Sequence, residues 1–184
     1  MLAYSSIAHA GFLLTGVIAL NQEGLKASLF YLASYGVATI GAFAIVTLVR
    51  DSSGEVGDLN RWVGLAKRSP AMALIFSLFL LSFAGIPLTA GFIGKFTIFT
   101  AAYESGNIAV VVAGVLSSAI AAFFYIRVIV MIFFTDPEED TVTVTIPSLY
   151  TNLTIWIAAI ATLALGIFPA PFLDFIATFA TFSR

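Results

Sequence analysis

The chain has 184 residues, of which 60% are hydrophobic and only 10% are charged, and its formal net charge is −2. A soluble domain keeps roughly a quarter of its residues charged to solvate its surface, so this composition predicts a protein embedded in a lipid bilayer. The net negative charge excludes a nucleic-acid-binding protein, which needs clustered Lys and Arg. With no Cys and one His, disulfides and thiolate sites are excluded, and no metal centre is expected from this chain alone.

The N-terminus shows no cleavable signal peptide. The segment that starts at Met1 lacks a basic region, and the apolar stretch behind it is too long to be the core of a signal alone. The chain therefore opens almost inside a membrane span. We interpret Met1 as an internal position of a longer protein.

Five segments of the sequence are long and apolar enough to cross a membrane. A spanning helix needs about 20 mainly apolar residues, and each of these segments carries at most one charged or histidine side chain. They are Leu2–Leu20, Ala27–Val49, Pro70–Tyr103, Ile108–Thr135 and Leu149–Phe168. Two prolines then break the last span, and apolar residues at helical spacing predict a short interfacial helix. The predicted fold is all-α, with a five-helix membrane domain over residues 1–168 and an interfacial C-terminal helix over residues 169–184.

The basic residues between the spans predict an orientation. Most of them fall in the loop between the second and third spans, namely Arg50, Arg61, Lys67 and Arg68. The opposite side offers only Lys26 and the C-terminal Arg184. Because cytoplasmic loops carry an excess of Lys and Arg, the basic loop is predicted to be cytoplasmic. Five crossings then place the Met1 end in the cytoplasm and the C-terminus outside.

The third segment is too long for one helix across the membrane. Its 34 residues would extend roughly 50 Å as a continuous helix, against a hydrocarbon core of about 30 Å. Its middle contains Gly85, Pro87, Gly91 and Gly94, which remove a backbone donor and lower helix propensity. This pattern predicts a helix, an unwound stretch and a second half-helix. Discontinuous helices of this kind are typical of the ion sites of transporters.

Lys95, at the end of this glycine-rich stretch, is the sharpest functional candidate. A lysine inside an apolar segment is costly, and such residues usually face a bundle interior or water. Burial and the positive end of the second half-helix would both disfavour its charge, so the side chain could gain and lose a proton. The alternative is a lysine that snorkels to the interface or pairs structurally with an acid elsewhere.

His9 is the second candidate, because histidine titrates near neutral pH. Tyr4, Ser5 and Ser6 lie beside it in the sequence and could support a hydrogen-bonded water path. The alternative is a neutral histidine that bonds neighbouring backbone. Other polar side chains at membrane depth or at helix ends are weaker candidates for the same polar axis, because such groups more often join helices than carry protons. They are Lys26, Ser34 and Tyr35.

Three motifs carry a resemblance to a known family. Residues 2–11 read LAYSSIAHAG, residues 84–96 read AGIPLTAGFIGKF, and residues 30–36 read FYLASYG. The first is similar to a signature of the antiporter-like subunits of proton-pumping NADH-quinone oxidoreductase (respiratory complex I), where a Lys-Arg pair typically precedes it. The second resembles the broken helix of that family, and the third favours its subunit N branch. The resemblance covers essentially the whole chain.

The resemblance implies a fold of fourteen helices with two inverted five-helix repeats, of which this chain would supply the last five helices. It implies an energy-coupling membrane such as the bacterial inner membrane. The partners would be lipid, the other membrane-arm subunits and the missing N-terminal part of the same subunit. Redox energy released elsewhere would drive protonation changes along a central polar axis, with Lys95 as the terminal relay and His9 as a link. No cofactor is expected in this chain, because NADH, FMN, iron-sulfur clusters and quinone would bind partner subunits.

Two alternatives remain open. The first is a subunit of a multisubunit cation/proton antiporter, which shares the ancestry and the lysine of the broken helix. Those relatives usually carry charged residues in the segment equivalent to Phe30–Gly36, and this chain has none there. The second is a membrane scaffold that conducts no ions of its own. An assay of the isolated chain separates these readings, because a scaffold needs its partners for any flux.

Overall fold

A computed structural model of the chain describes residues 1–51, 54–55, 58–136 and 143–180. The structure is 81% helical, which confirms the predicted helical membrane class. The helices are α1 (Leu2–Val17), α2 (Gln22–Val46), α3 (Leu65–Arg68), α4 (Pro70–Ala84), α5 (Ala90–Glu104), α6 (Ile108–Phe134), α7 (Leu149–Ile167) and α8 (Ala170–Phe179). A 3₁₀ turn covers Leu59–Trp62.

The predicted spans correspond to these helices in different ways. Within the described residues, α2, α6 and α7 are each long and apolar enough to cross a membrane. The first predicted span is the 16-residue α1, and the third is divided between α4 and α5, each of 15 residues. The chain is therefore a helical membrane protein, while the count of five crossings stays a prediction.

The third span is broken at residues 85–89, where the sequence predicts an unwound stretch. Gly85 ends α4 with a φ of 81°, in the left-handed region that favours glycine. Leu88 also has a positive φ, of 74°, which is uncommon for a residue with a side chain. A Cβ on Gly91 would collide with the backbone carbonyl of Ser82, so this glycine lets the start of α5 pack directly against the end of α4.

Helix α2 lies at the centre of the bundle and packs against α1, α4, α5, α7 and α8. Its side chains at Phe30, Tyr31, Ser34 and Ile45 are almost completely buried. Gly41 permits this close packing, because a Cβ there would collide with the Phe79 ring of α4 and lie 2.8 Å from the nearest α7 side-chain atom. The polar side chains of Tyr31 and Ser34 therefore lie in the interior of the bundle, where a polar atom without a hydrogen bond would be costly.

A small antiparallel sheet joins two loops that lie far apart in the sequence. Its strands are β1 (Val49–Asp51), β2 (Gly54–Glu55) and β3 (Thr143–Val144), in the order β2-β1-β3. The all-α prediction did not include this sheet, because strands of two or three residues leave no alternating pattern to recognise. The sheet places the loop after α2 and the loop before α7 at the same end of the bundle, as the alternation of the predicted spans requires.

The interfacial C-terminal helix was predicted over residues 169–184. The structure gives α8 over Ala170–Phe179, and residues 181–184 lie outside the described part of the chain. Ile176 is buried against Phe30 of α2, whereas Phe175 and Phe179 are exposed. The helix therefore has one face on the bundle and one apolar face directed away from it.

Candidate functional site

Lys95 lies in the interior of the bundle, on the second turn of α5, with only 5% of its side chain exposed. Its Nζ donates hydrogen bonds to the carbonyl oxygens of Phe83 at 2.8 Å and Ala84 at 3.3 Å, and to Ser118 Oγ of α6 at 2.8 Å. The last carbonyls of a helix have no partner within that helix. The break after α4 therefore supplies two of the three acceptors that hold Lys95.

This geometry adds an influence on Lys95 that the sequence did not predict. The expected influence on Lys95 was the positive N-terminal end of α5, whereas the structure places its Nζ against the C-terminal carbonyls of α4. The C-terminal end of a helix carries partial negative charge, which favours a cation. The sequence prediction considered only the half-helix that carries the lysine, so it did not include these carbonyls.

The remaining surroundings of Lys95 are apolar. Its Nζ lies 4.6 Å from the centre of the Phe12 ring, a cation–π distance. A Cβ on Gly85 would lie 3.0 Å from Lys95 Cδ, so a side chain there would crowd the lysine. Among the described residues, the contacts of Lys95 Nζ are carbonyls, a hydroxyl and an aromatic ring, and none is a carboxylate. The structural alternative, a lysine fixed by an acid, therefore finds no support within this part of the chain.

His9 forms a second polar centre on α1, where it is 3% exposed. Its Nδ1 lies 2.6 Å from the Tyr31 hydroxyl and its Nε2 lies 3.3 Å from the Tyr125 hydroxyl. The imidazole also stacks on the Tyr35 ring, with centroids 4.2 Å apart and an interplanar angle of 12°. A phenol hydroxyl can donate or accept, so the site can accommodate either tautomer of the histidine.

Two serines extend this centre along α1. The Tyr125 hydroxyl also hydrogen bonds to Ser5 Oγ, and the Tyr35 hydroxyl donates to Ser6 Oγ at 3.1 Å. We call the set formed by His9 and its hydroxyl neighbours the hydroxyl cluster; its members are Ser5, Ser6, His9, Tyr31, Tyr35 and Tyr125. The cluster joins α1, α2 and α6 through hydrogen bonds between side chains.

Two phenylalanines contact both Lys95 and the hydroxyl cluster. The Phe83 ring lies 5.4 Å from the His9 ring, and the Phe12 ring lies 5.7 Å from it, both nearly edge-on. Both phenylalanines also contact Lys95, Phe12 through its ring and Phe83 through its carbonyl. The two polar centres are therefore neighbours that share the Phe12 ring, while Phe83 faces His9 with its ring and Lys95 with its carbonyl.

The other predicted residues of the broken helix shape this site. Pro87 lies in the non-helical stretch between α4 and α5. Gly94 faces α2, where a Cβ would lie 2.7 Å from the Tyr31 ring. Gly91 makes the contact with α4 described above, and its N–H donates to Ser82 Oγ at 3.1 Å. These glycines bring α5 close to both neighbouring helices.

Three of the weaker candidates have other surroundings. Ser34 is buried but donates locally to the carbonyl of Tyr31, at 3.0 Å. Tyr4 is 81% exposed and lies outside the hydroxyl cluster. Lys26 lines a cleft of about 380 Å³ near the start of α2, together with Glu23 and Glu104. Within the described residues, no hydrogen bond joins Tyr4 or Lys26 to either polar centre, although Tyr4 lines a surface pocket with Ser5 and Tyr125. Within the described residues, no group of three or more His, Asp or Glu side chains could hold a metal ion.

Ser118 and Tyr125, both on α6, were not among the site residues predicted from the sequence. They are seven residues apart and therefore lie on one face of the helix. The partly buried Ala122 and the buried Val128 and Ile132 continue that face at helical spacing. A search for hydroxyl groups in phase with the inward face of this otherwise apolar helix could have found both residues.

Comparison with known proteins supplies the family. A family model described as NADH:quinone oxidoreductase/Mrp antiporter, TM matches residues 1–121, which include Lys95, Ser118 and every member of the hydroxyl cluster except Tyr125. The chain is 55% identical to NADH-quinone oxidoreductase subunit N of Rhodococcus opacus, over all of this chain and 34% of that relative. It thus spans about a third of the length of the curated relatives that it matches.

Solved structures of membrane complexes contain chains whose fold is similar to that of this chain. A chain of respiratory complex I from Thermus thermophilus with bound aureothin has a TM-score of 0.81 and 33% identity, and covers 94% of this chain and 38% of that one. A chain of the Mrp complex from a Dietzia species has a TM-score of 0.78, over 97% of this chain and 41% of that one. Its 21% identity makes that likeness one of fold alone. The chain belongs to the NADH:quinone oxidoreductase/Mrp antiporter transmembrane family.

Proposed function

We propose that this chain forms part of a membrane-arm subunit of a proton-pumping NADH-quinone oxidoreductase, in which Lys95 changes its protonation state during redox-driven proton translocation. The observation that carries the proposal is the position of Lys95 Nζ, which is buried and donates to two carbonyls at the C-terminal end of α4 and to one hydroxyl. The 55% identity to a subunit N favours this family branch over a cation/proton antiporter, to which the likeness is in fold.

The surroundings of Lys95 suit a group that alternates between two charge states. The carbonyls of Phe83 and Ala84 stabilise the ammonium form, whereas burial favours the neutral amine. No carboxylate among the described residues fixes the charge at one value. A change in charge or hydration elsewhere in a larger complex can therefore shift the balance between the two forms.

The hydroxyl cluster around His9 would carry protons to or from this lysine. The hydrogen bonds from Ser5 through Tyr125 and His9 to Tyr31 are continuous. Each hydroxyl can donate and accept, so these bonds can reverse direction as a proton passes. Among the described residues, no hydrogen bond joins Lys95 to the cluster, and the Phe12 ring contacts both. Transfer between them therefore requires intervening water or a movement of side chains.

The proposed function also implies an orientation of the chain in the membrane and a set of neighbouring subunits. The basic loop residues favour a cytoplasmic position for the end of the bundle that carries the small sheet, which puts Met1 on the cytoplasmic side and the C-terminus outside. The membrane would be the bacterial inner membrane or an equivalent energy-coupling membrane. The neighbours would be lipid, the remaining two thirds of the subunit and other membrane-arm subunits. NADH, FMN, iron-sulfur clusters and quinone would bind in those partner subunits, with no cofactor in this chain.

The test is NADH-driven proton pumping in membranes whose full-length subunit carries Lys95→Ala. Lys67→Ala is the matched control, because Lys67 is an exposed lysine of α3 that pairs with the exposed Asp136. We expect both variants to assemble, but only Lys95→Ala to lose most of its pumping and turnover. Wild-type pumping in an assembled Lys95→Ala complex would contradict the proposal.

A further inference from the structure

The three acceptors around Lys95 differ in chemistry. The carbonyls of Phe83 and Ala84 can only accept a hydrogen bond, whereas the hydroxyl of Ser118 can accept or donate. An ammonium group has three N–H donors, which match these three acceptors. A neutral amine has two N–H donors and a lone pair, and a lone pair needs a donor. Among these three partners, only Ser118 can supply one.

We propose that Ser118 is a positioning residue for Lys95, whose hydroxyl accepts a hydrogen bond from the charged side chain and donates one to the neutral side chain. Nζ then keeps its place beside the α4 carbonyls when its protonation state changes. Without this hydroxyl, neither remaining hydrogen-bond partner of Nζ could donate to the neutral amine, and the side chain would lose the contact that keeps it in the geometry needed to take up the next proton. The inference deepens the proposed relay function of Lys95 and rests on it.

The packing of α6 keeps Ser118 within reach. Gly114 lies one turn before Ser118 on the same face of the helix. A Cβ on Gly114 would lie 2.6 Å from the Phe99 ring of α5, so the glycine allows the two helices to approach closely at this level. Position 118 is therefore held at a fixed distance from α5, which carries Lys95.

Ser118 also borders open space. It lines, with Lys95, Phe96 and Ala122, a groove of about 340 Å³ between α5, α6 and the break. When the hydroxyl accepts from the charged lysine, its own proton can point into this groove and bond to water. When it donates to the neutral lysine, that bond to water is exchanged for the bond to Nζ. Both orientations of the hydroxyl thus have a partner.

The test uses Ser118→Val and Ser118→Thr in the full-length subunit of the assembled complex. The two side chains have nearly the same shape and differ in one hydroxyl. We expect Ser118→Thr to pump at close to the wild-type rate and Ser118→Val to pump about tenfold more slowly, which corresponds to about 1.4 kcal/mol. The dependence of pumping on pH should change shape in Ser118→Val and not in Ser118→Thr. Ser117→Val, at an exposed neighbouring position, is the control and should behave as wild type.

Each possible result of this comparison either supports or overturns the proposed role of Ser118. Equal losses in the Val and Thr variants would show that position 118 acts through packing, and wild-type rates in both would show that the hydroxyl is dispensable; either result overturns the inference. If Ser118→Val does not assemble, Ser118→Ala replaces it, because a smaller side chain cannot overfill the site. The Lys95→Ala variant, measured in parallel, separates the two proposals. Loss of pumping there with a normal Ser118→Val refutes only the role of Ser118, whereas normal pumping in Lys95→Ala refutes the relay itself.

Discussion

Gly91→Ala is the substitution that most severely strains the contact between the two halves of the broken helix. An added Cβ would fall on the carbonyl oxygen of Ser82 and would lie 3.0 Å from Ser82 Oγ. The obstructing carbonyl belongs to the last turn of α4, so it cannot swing aside as a flexible side chain would. The start of α5 must therefore move away from α4.

The expected effect of Gly91→Ala has two parts, the cost of overpacking the contact between α4 and α5 and the weakening of the hydrogen bonds of Lys95. Forcing an extra carbon into a tightly packed contact typically costs about 1–3 kcal/mol of stability. Lys95 follows Gly91 by one helical turn, and its acceptors Phe83 and Ala84 directly follow Ser82. The same displacement therefore lengthens the hydrogen bonds of Lys95, each worth about 1.5–3 kcal/mol when the donor is charged. We expect a lower thermal midpoint and a loss of pumping from one methyl group.

The matched control is Gly36→Ala in α2, because a Cβ there would have no atom of another group within 4 Å. Replacing a helical glycine by alanine without a clash gains up to about 1 kcal/mol. The assay is the thermal midpoint of the detergent-purified complex with the full-length subunit, together with NADH-driven pumping before extraction. If Gly91→Ala proves as stable and as active as Gly36→Ala, the contact between α4 and α5 does not hold Lys95 in place.

Three further substitutions test other parts of the structure. Tyr125→Phe removes a hydroxyl that bonds to His9 but keeps the ring, so the complex should assemble and pump more slowly; an unchanged rate in vesicles would remove this hydroxyl from the relay. Asn21→Ala removes the side-chain cap of α2 and should lower stability by about 1 kcal/mol, seen as a lower thermal midpoint with normal pumping. Asp136→Asn removes an exposed carboxylate whose pKa is held below its usual range by the hydrogen bond and charge of Lys67. Because that pKa is depressed, any stabilisation is present at neutral pH and disappears as the pH falls through the carboxylate range. Both side chains are exposed to solvent, so the stabilisation by this ion pair is small. A large difference in thermal midpoint between Asp136→Asn and wild type in a pH series would contradict the description of Lys67–Asp136 as a weak surface pair.

Several features of the fold and site could be predicted from single residues and their spacing. Long apolar runs identified the helical class, because lipid forces the backbone to satisfy its own hydrogen bonds. Pro87 and the glycines around it located the break, because they weaken a helix wherever it lies. Lys95 was identifiable because a lone charge in an apolar span is costly unless it is buried in protein or reaches water.

Other features depend on how the helices rotate and meet, which these local signals do not determine. Helix α1 is apolar almost all round, so its sequence gave no reason to place Tyr4 outside and Ser5 inside. Ser118 and Tyr125 are uncharged and lie in a strongly apolar span, so hydropathy does not distinguish them from packing residues. The partners of Lys95 on α4 are backbone carbonyls, which carry no sequence signal. The small sheet likewise depends on pairing between distant loops.

The central claim is that Lys95 must change its protonation state, and Lys95→Arg tests it most directly. Arginine keeps a positive charge at the same position but does not release its proton at accessible pH. The measurement is the rate of NADH-driven proton pumping by the assembled complex in sealed vesicles, compared with wild type and with Lys95→Ala. The relay predicts that Lys95→Arg loses most of its pumping as Lys95→Ala does, although its charge is retained. A wild-type pumping rate in Lys95→Arg would show that a fixed charge is sufficient and would contradict the relay.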